Sequence, residues 1–249
     1  ITTFFDQKKI GTAMGVFNTA VPFGTVVSAN LIGTLGLVFD WRIIIAGVAL
    51  FAGLVFAFVY FLLLLPKKEK KDAAPGGLSF RPGIGLIFLG VIWMIANGQF
   101  ITYTTFAPPY FQRLDLSTQE TGLLTSMIVL LSIFIAPVIG IVIDKTKGIK
   151  WFLLTGVVFM GVAYLFLTSS LLPLIFWAVL LGLGFSFVPV CVFSMLPDVV
   201  GPDQTGMGLA FLASATNLGI STIPVVFGSI LDKTSGDYTL IFPLLALLS

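Results

Sequence analysis

Long apolar segments without a charged residue constrain this chain more than any other feature of its sequence. Residues 43–65 are the clearest case, because no charge occurs before Pro66 and the Lys-rich run that follows it. A transmembrane helix needs about 20 mostly apolar residues to cross about 30 Å of hydrocarbon. Strands of a membrane barrel would be about 10 residues long and alternate in polarity. The segments therefore predict membrane-spanning α-helices.

Eight spans of this kind are predicted, and together they account for most of the chain. They cover residues 11–38, 43–65, 83–111, 121–143, 151–168, 171–196, 206–231 and a last span that begins near 238. The composition agrees, since 57% of the residues are hydrophobic and 10% are charged, against about 45–50% and about 25% in soluble domains. We expect an all-α, polytopic protein whose surface contacts the lipid bilayer.

The basic residues predict how the spans are oriented. All but three of the 13 Lys and Arg residues fall in connections on one side, and Arg42, Arg113 and Lys233 fall on the other. Short cytoplasmic loops carry the excess of basic residues. The first side, which includes the charged linker 66–82, is therefore predicted to be cytoplasmic. The linker divides residues 1–65, with two spans, from residues 83–249, with six.

Glycines suggest an internal repeat. Three glycines of the first span match three of the seventh at one constant spacing, namely Gly11, Gly24 and Gly33 with Gly206, Gly219 and Gly228. With 26 glycines in the chain, chance could align three of them. A parallel repeat, which relates two six-helix halves about an axis along the membrane normal, is the alternative. It predicts that these glycines pack helices in two pseudo-symmetric six-helix bundles.

Four further stretches carry a family resemblance. They are residues 8–15 entering a Gly-rich span that ends at 40–42, the linker 66–82, residues 140–150, and residues 197–206 leading into Pro224, Gly228 and Asp232. With them the chain resembles the major facilitator superfamily, from just before the fifth helix into the twelfth. The resemblance implies twelve helices, of which eight are visible, the first four are missing and the last is truncated. It also implies a secondary active transporter that moves a small polar solute by alternating access.

A cluster near the cytoplasmic end of the fourth span has two interpretations. Gly140, Asp144, Lys145 and Lys147 occupy the region where the family carries its loop between the eighth and ninth helices. The resemblance implies a gating latch that bridges neighbouring helices when the cytoplasmic side is closed. The alternative is a solvated flank that only fixes topology.

Polar residues within the third span are the candidate solute site. Asn97, Gln99 and Tyr103 lie near the middle of an apolar segment, and Pro108-Pro109 follows. Irregular backbone at membrane depth is tolerated against protein or a water-filled cavity, so we expect local unwinding between 97 and 109 that aims all three side chains at a cavity. Asn217 in the seventh span is a further candidate. Interhelical hydrogen bonding is the structural alternative for all four residues.

Several function classes are excluded or left open. The chain has no His and one cysteine, Cys191, so Cys/His metal sites and Ser-His catalysis are excluded, and we expect no enzyme activity, cofactor or metal. A net charge of +2 does not suggest nucleic-acid binding. A coupling ion would have to be bound by residues of the missing helices. We expect a monomer in the cell membrane, with a non-transporting receptor or sensor of the same fold as the alternative.

Overall fold

The computed structural model describes residues 16, 19–20, 23–24, 35, 39–63, 81–146 and 148–249. Within them lie seven α-helices, and no strand is assigned there. The helices are α1 (Trp41–Leu63), α2 (Ile84–Gln112), α3 (Thr118–Thr146), α4 (Ile149–Phe166), α5 (Leu174–Val200), α6 (Thr205–Lys233) and α7 (Tyr238–Ala246), with a short 3-10 helix (Pro202–Gln204) before α6.

Helices α1 to α6 confirm six predicted spans, with ends shifted by at most four residues. Each of the six is long and apolar enough to cross a membrane. The last predicted span is observed as the nine residues of α7. Most of the first predicted span, with Gly11 and Gly33, and most of the linker 66–82 lie outside the described residues, so the glycine repeat stays a prediction.

The contacts divide the chain into two units. One unit consists of residues 24–81 and contains α1; the other consists of residues 82–249 together with residues 1–23. Nearly every side chain described on α1 is exposed, including Phe51, Leu54 and Phe58. Exposed apolar residues all round a helix suit contact with lipid.

Three close helix pairs build the six-helix unit, and glycines form their contacts. A Cβ on Gly219 of α6 would overlap the carbonyl of Met94 in α2, and a Cβ on Gly182 of α5 would overlap the carbonyl of Met127 in α3. Between α4 and α5, Cβ atoms added to Gly156 and Gly184 would meet the opposite glycine's carbonyl oxygen at 2.9 Å and 2.8 Å. Small residues let membrane helices approach closely, so these glycines set the helix spacing.

Polar contacts fix the end of the unit at which α2 meets α7. Nη1 of Arg113 donates to the carbonyl of Gly236 at 2.7 Å, and its guanidinium carbon lies 4.5 Å from the ring centroid of Tyr238. At the start of α3, Ser117 and Glu120 exchange hydrogen bonds as a capping box. Asp237 caps α7 by accepting hydrogen bonds from the amide and hydroxyl of Thr239.

Candidate functional site

Helix α2 is continuous from Ile84 to Gln112, so the predicted unwinding between residues 97 and 109 is wrong. Two local features are compatible with the regular helix. The amide of Asn97 donates to the carbonyl of Trp93 at 2.7 Å, one turn back along the same helix. Pro108 and Pro109 lie in the last two turns, so the two backbone donors that they lack are lost close to the end of the helix. Because a regular helix turns about 100° per residue, Asn97 and Gln99 point to different sides of α2.

Gln99 points into the interior of the six-helix unit. Its side chain is 2% exposed, and its Nε2 donates to the carbonyl of Leu245 at 2.9 Å and to the hydroxyl of Ser249 at 2.8 Å. Both acceptors belong to α7 or the residues just after it. Gln99 therefore ties α2 to the end of the last helix.

Tyr103, one turn further along α2, is completely buried. Its hydroxyl donates to the carbonyl of Leu124 in α3 at 3.1 Å. Its ring packs against Tyr164 of α4 and Phe242 of α7, with centroids 6.2 Å and 6.3 Å away. Tyr103 thus contacts three other helices, and its one hydrogen-bond donor is used within the protein.

A groove of about 430 Å³ lies beside Gln99. It is lined by residues of α2, α4 and α5 and by Leu248 and Ser249, which follow α7. Its walls are mainly apolar, with Gln99, Lys150 and Ser249 as the polar lining residues. Asn97 and Tyr103 are not among the lining residues. The three predicted site residues therefore do not share one cavity.

Asn97 lies on a half-exposed face that α2 forms with α5. Trp93 and Phe100, one turn on either side of it, pair with Phe193 and Phe185 of α5 at centroid distances of 5.0 Å and 5.2 Å. All four rings are partly exposed. Among the described residues, the side-chain oxygen of Asn97 accepts no hydrogen bond. The face thus offers one free amide acceptor between two aromatic pairs.

Asn217 lies on the exposed face of α6. Ser214 and Ser221, at the helical spacings of three and four residues, are exposed on the same face and donate to carbonyls of their own helix. None of these three residues lines the groove beside Gln99. The structure therefore keeps Asn217 apart from the other candidate residues.

The residues of the predicted latch occupy the last turns of α3. Gly140 is buried, Asp144 is half-buried and Lys145 is exposed. Lys147 lies outside the described residues. The latch therefore stays a prediction, and the position of the cluster is compatible with it.

Sequence reasoning missed the aromatic pairs and three of the packing glycines. Trp93, Asn97 and Phe100 stand at the spacing of one helix face, and that signal was available. Their partners Phe185 and Phe193 are distant in sequence, and among 25 Phe residues nothing marks them. Within the described residues no group of His, Cys, Asp and Glu could hold a metal ion.

Comparison with known proteins agrees with this architecture. The family model described as Major Facilitator Superfamily matches residues 1–147 and 88–249, which together cover the whole chain. The chain is 25% identical to the lysosomal dipeptide transporter MFSD1 of Gallus gallus over 92% of its own length and 57% of the relative's. For the human protein of that name the identity is 25%, over 93% of this chain and 54% of the relative.

A more distant relative is monocarboxylate transporter 2 of Meriones unguiculatus, 24% identical over 67% of this chain and 34% of the relative. The chain thus spans about half the length of the dipeptide transporters it matches. These relatives are transporters and not enzymes. This agrees with the expectation from the sequence that the chain has no enzyme activity. With a family model matched along all 249 residues and six helices able to cross a membrane, this multi-pass chain belongs to the major facilitator superfamily.

Proposed function

We propose that the protein is a secondary active transporter that moves a small polar solute by alternating access, and that Asn97 contacts the solute. The observation that carries the proposal is the half-exposed amide of Asn97 between the pairs Trp93–Phe193 and Phe100–Phe185. Ligand sites combine apolar and aromatic walls with a few polar groups that fix orientation. This face of α2 and α5 has that composition.

The remaining polar residues of α2 have a different part in the proposal. The side-chain donors of Gln99 and Tyr103 are bonded to other helices, so these residues position α7 and α3 instead of binding solute. Asn217, on the exposed face of α6, is a second candidate contact. A buried polar group that already has its partners gains little from a ligand.

Among small solutes, the site favours dipeptides. The free oxygen of Asn97 can accept a hydrogen bond from a peptide N–H or a terminal ammonium, and the aromatic pairs can pack against side chains of varied shape. The relatives named as lysosomal dipeptide transporters support this choice. A monocarboxylate, suggested by the more distant relative, would need a cationic partner such as Arg or Lys, and none of the described residues that pack around Asn97 is Arg or Lys.

The proposal includes the arrangement of the whole protein. Twelve helices form two pseudo-symmetric six-helix bundles, with residues 1–65 in the first, a cytoplasmic linker at 66–82 and residues 83–249 in the second. Relatives about twice as long as the chain support this arrangement. The protein would work as a monomer in the cell membrane; the lysosomal relatives make the lysosome the alternative compartment.

The latch is part of the proposed cycle. Replacing Asp144 by Asn removes a charge from the end of α3, and a contact made only in the cytoplasm-closed state would weaken. Cysteines on the cytoplasmic side of the pathway should then label faster. Unchanged labelling of a correctly inserted variant would favour the solvated flank.

Solute counterflow in proteoliposomes tests the function itself. Proteoliposomes that contain the full-length protein and are preloaded with unlabelled dipeptide should accumulate labelled dipeptide from outside. Added lactate should not compete with this uptake. Competition by lactate but not by dipeptide would overturn the choice of solute. Saturable binding of either compound without any flux would instead support a receptor of the same fold.

A further inference from the structure

Helix α5 carries two prolines among its buried residues. Pro189 and Pro197 both lie inside the continuous helix. Proline has no backbone N–H, so the carbonyl four residues earlier loses the amide that would otherwise donate to it. The two carbonyls belong to Phe185 and Phe193, whose rings pair with rings of α2. Within the described part of the chain, no side chain donates to either carbonyl.

The order of the ring pairs places Pro189 opposite Asn97. The two pairs follow α2 forwards and α5 backwards, namely Trp93–Phe193 and Phe100–Phe185. The two helices are therefore antiparallel. Four residues forward from Trp93 is Asn97, and four residues back from Phe193 is Pro189. Both positions thus lie between the two ring pairs.

The direction of the helix distinguishes the two carbonyls. Each carbonyl of an α-helix points along the axis towards the residue four positions later. The carbonyl of Phe185 therefore points towards Pro189, into the segment between the ring pairs. The carbonyl of Phe193 points towards Pro197, away from that segment.

The segment between the ring pairs thus offers two oxygen acceptors, the carbonyl of Phe185 and the side-chain oxygen of Asn97. The amide donor of Asn97 is already used on the carbonyl of Trp93. The four surrounding rings are partly exposed, and the faces of aromatic rings attract cations. Oxygen acceptors among aromatic rings favour a positively charged group that donates hydrogen bonds.

We propose that this segment binds the protonated amino terminus of the dipeptide, with the carbonyl of Phe185 and the side-chain oxygen of Asn97 as acceptors. The inference rests on the proposed function and adds which end of the solute lies between the ring pairs. An ammonium group has three N–H donors, so it uses both oxygens at once. A neutral peptide N–H has one donor and leaves one of the two oxygens unbonded.

A metal cation fits the segment less well. Calcium and magnesium take about six to eight oxygen ligands, whereas the segment offers two. No Asp or Glu occurs in residues 84–112 of α2 or in residues 174–197 of α5, so neither helix supplies a carboxylate there. An ammonium group needs at most three acceptors.

Uptake of a dipeptide and of its N-acetyl derivative tests the inference, with the full-length protein in proteoliposomes. Acetylation removes the charge and leaves a single N–H at the same nitrogen. The KM of the wild type should be at least about tenfold lower for the free dipeptide, as expected for a hydrogen bond to a charged group. Pro189→Ala restores an amide that bonds to the carbonyl of Phe185. It should raise the KM for the free dipeptide about tenfold and leave that for the acetylated one within about twofold.

Pro197→Ala is the matched control, because it restores an amide in the same helix at a carbonyl that points away from the segment. Both KM values should stay unchanged in this variant. Equal KM values for the two solutes in the wild type would overturn the inference without any variant, although flux of both would support a transporter. Equal rises of both KM values in Pro189→Ala would also overturn it, since they would show a change in the helix and not the loss of one acceptor. Absence of flux for both solutes in the wild type would contradict the proposed function itself.

Discussion

The two sides of α2 differ in how their polar groups are used. On one side, Gln99 and Tyr103 are buried and donate to α7 and α3. On the other, Asn97 is half-exposed, bonds only within its own helix and keeps its oxygen free of protein donors among the described residues. All three are polar residues within two turns of one continuous helix, yet their surroundings differ.

The difference shows that polarity at membrane depth is not enough to identify a binding residue. A buried polar group inside a bundle costs free energy unless it is bonded, so the interior side must satisfy its own groups. A half-exposed polar group between aromatic rings is available to a ligand. Variants on the packed side should therefore change stability, and variants on the open side should change solute affinity.

The largest effect on stability is expected from Gly219→Ala, at the contact between α2 and α6. The added Cβ would overlap the carbonyl of Met94, so α2 and α6 would have to separate, at a cost of about 1–3 kcal/mol. The matched control is Gly206→Ala, because nothing lies within 4 Å of its Cβ position. Thermal unfolding of the purified protein in detergent should show a lower Tm for Gly219→Ala alone. Equal Tm values for both variants would contradict this packing.

A smaller loss is expected from Gln99→Leu. The substitution keeps the volume and removes the hydrogen bonds to Leu245 and Ser249, and interhelical bonds of this kind contribute about 0.6–1.7 kcal/mol. Thr102→Val is the control, since the buried hydroxyl of Thr102 bonds only to Gly98 of its own helix. The free energy of unfolding should fall more for Gln99→Leu than for Thr102→Val, and KM should stay unchanged. A raised KM with normal stability would contradict the structural role of Gln99 and would show that it contributes to solute binding.

The smallest effect concerns the cap of α7. Two hydrogen bonds from Thr239 lower the pKa of Asp237. The bond from the hydroxyl has the larger effect, and the bond from the backbone amide has the smaller one. A carboxylate with a lowered pKa stabilises the folded state above its ordinary pKa of about 3.9, and this stabilisation is lost as the pH falls through the lowered value. The Tm difference between wild type and Asp237→Ala should thus be constant above about pH 5 and shrink below about pH 4. A Tm difference that grew at low pH would contradict the stabilisation of α7 by the Asp237 carboxylate.

The sequence predicted the helices better than the site. Hydropathy located α1 to α6, because a membrane helix must be long and apolar whatever its neighbours are. The weak helix formers Asn97 and Gly98 suggested unwinding, but tertiary packing decided otherwise, since Gly98 lies against Ile223 of α6. Gln99 and Tyr103 have their hydrogen-bond acceptors in α7 and α3, and the rings beside Asn97 pair with rings of α5. No local pattern of α2 reveals these partners.

Transport kinetics of Asn97→Ala test the central claim most directly. Thr105→Ala is the matched control, because Thr105 is an exposed polar residue of the same helix. We predict that Asn97→Ala raises the KM for the transported dipeptide about 2- to 12-fold, the value of one hydrogen bond of about 0.5–1.5 kcal/mol, with an unchanged Tm. The control should leave both quantities unchanged. A normal KM for Asn97→Ala, or a KM that rises only together with a loss of stability, would contradict the assignment of the open side of α2 to the solute.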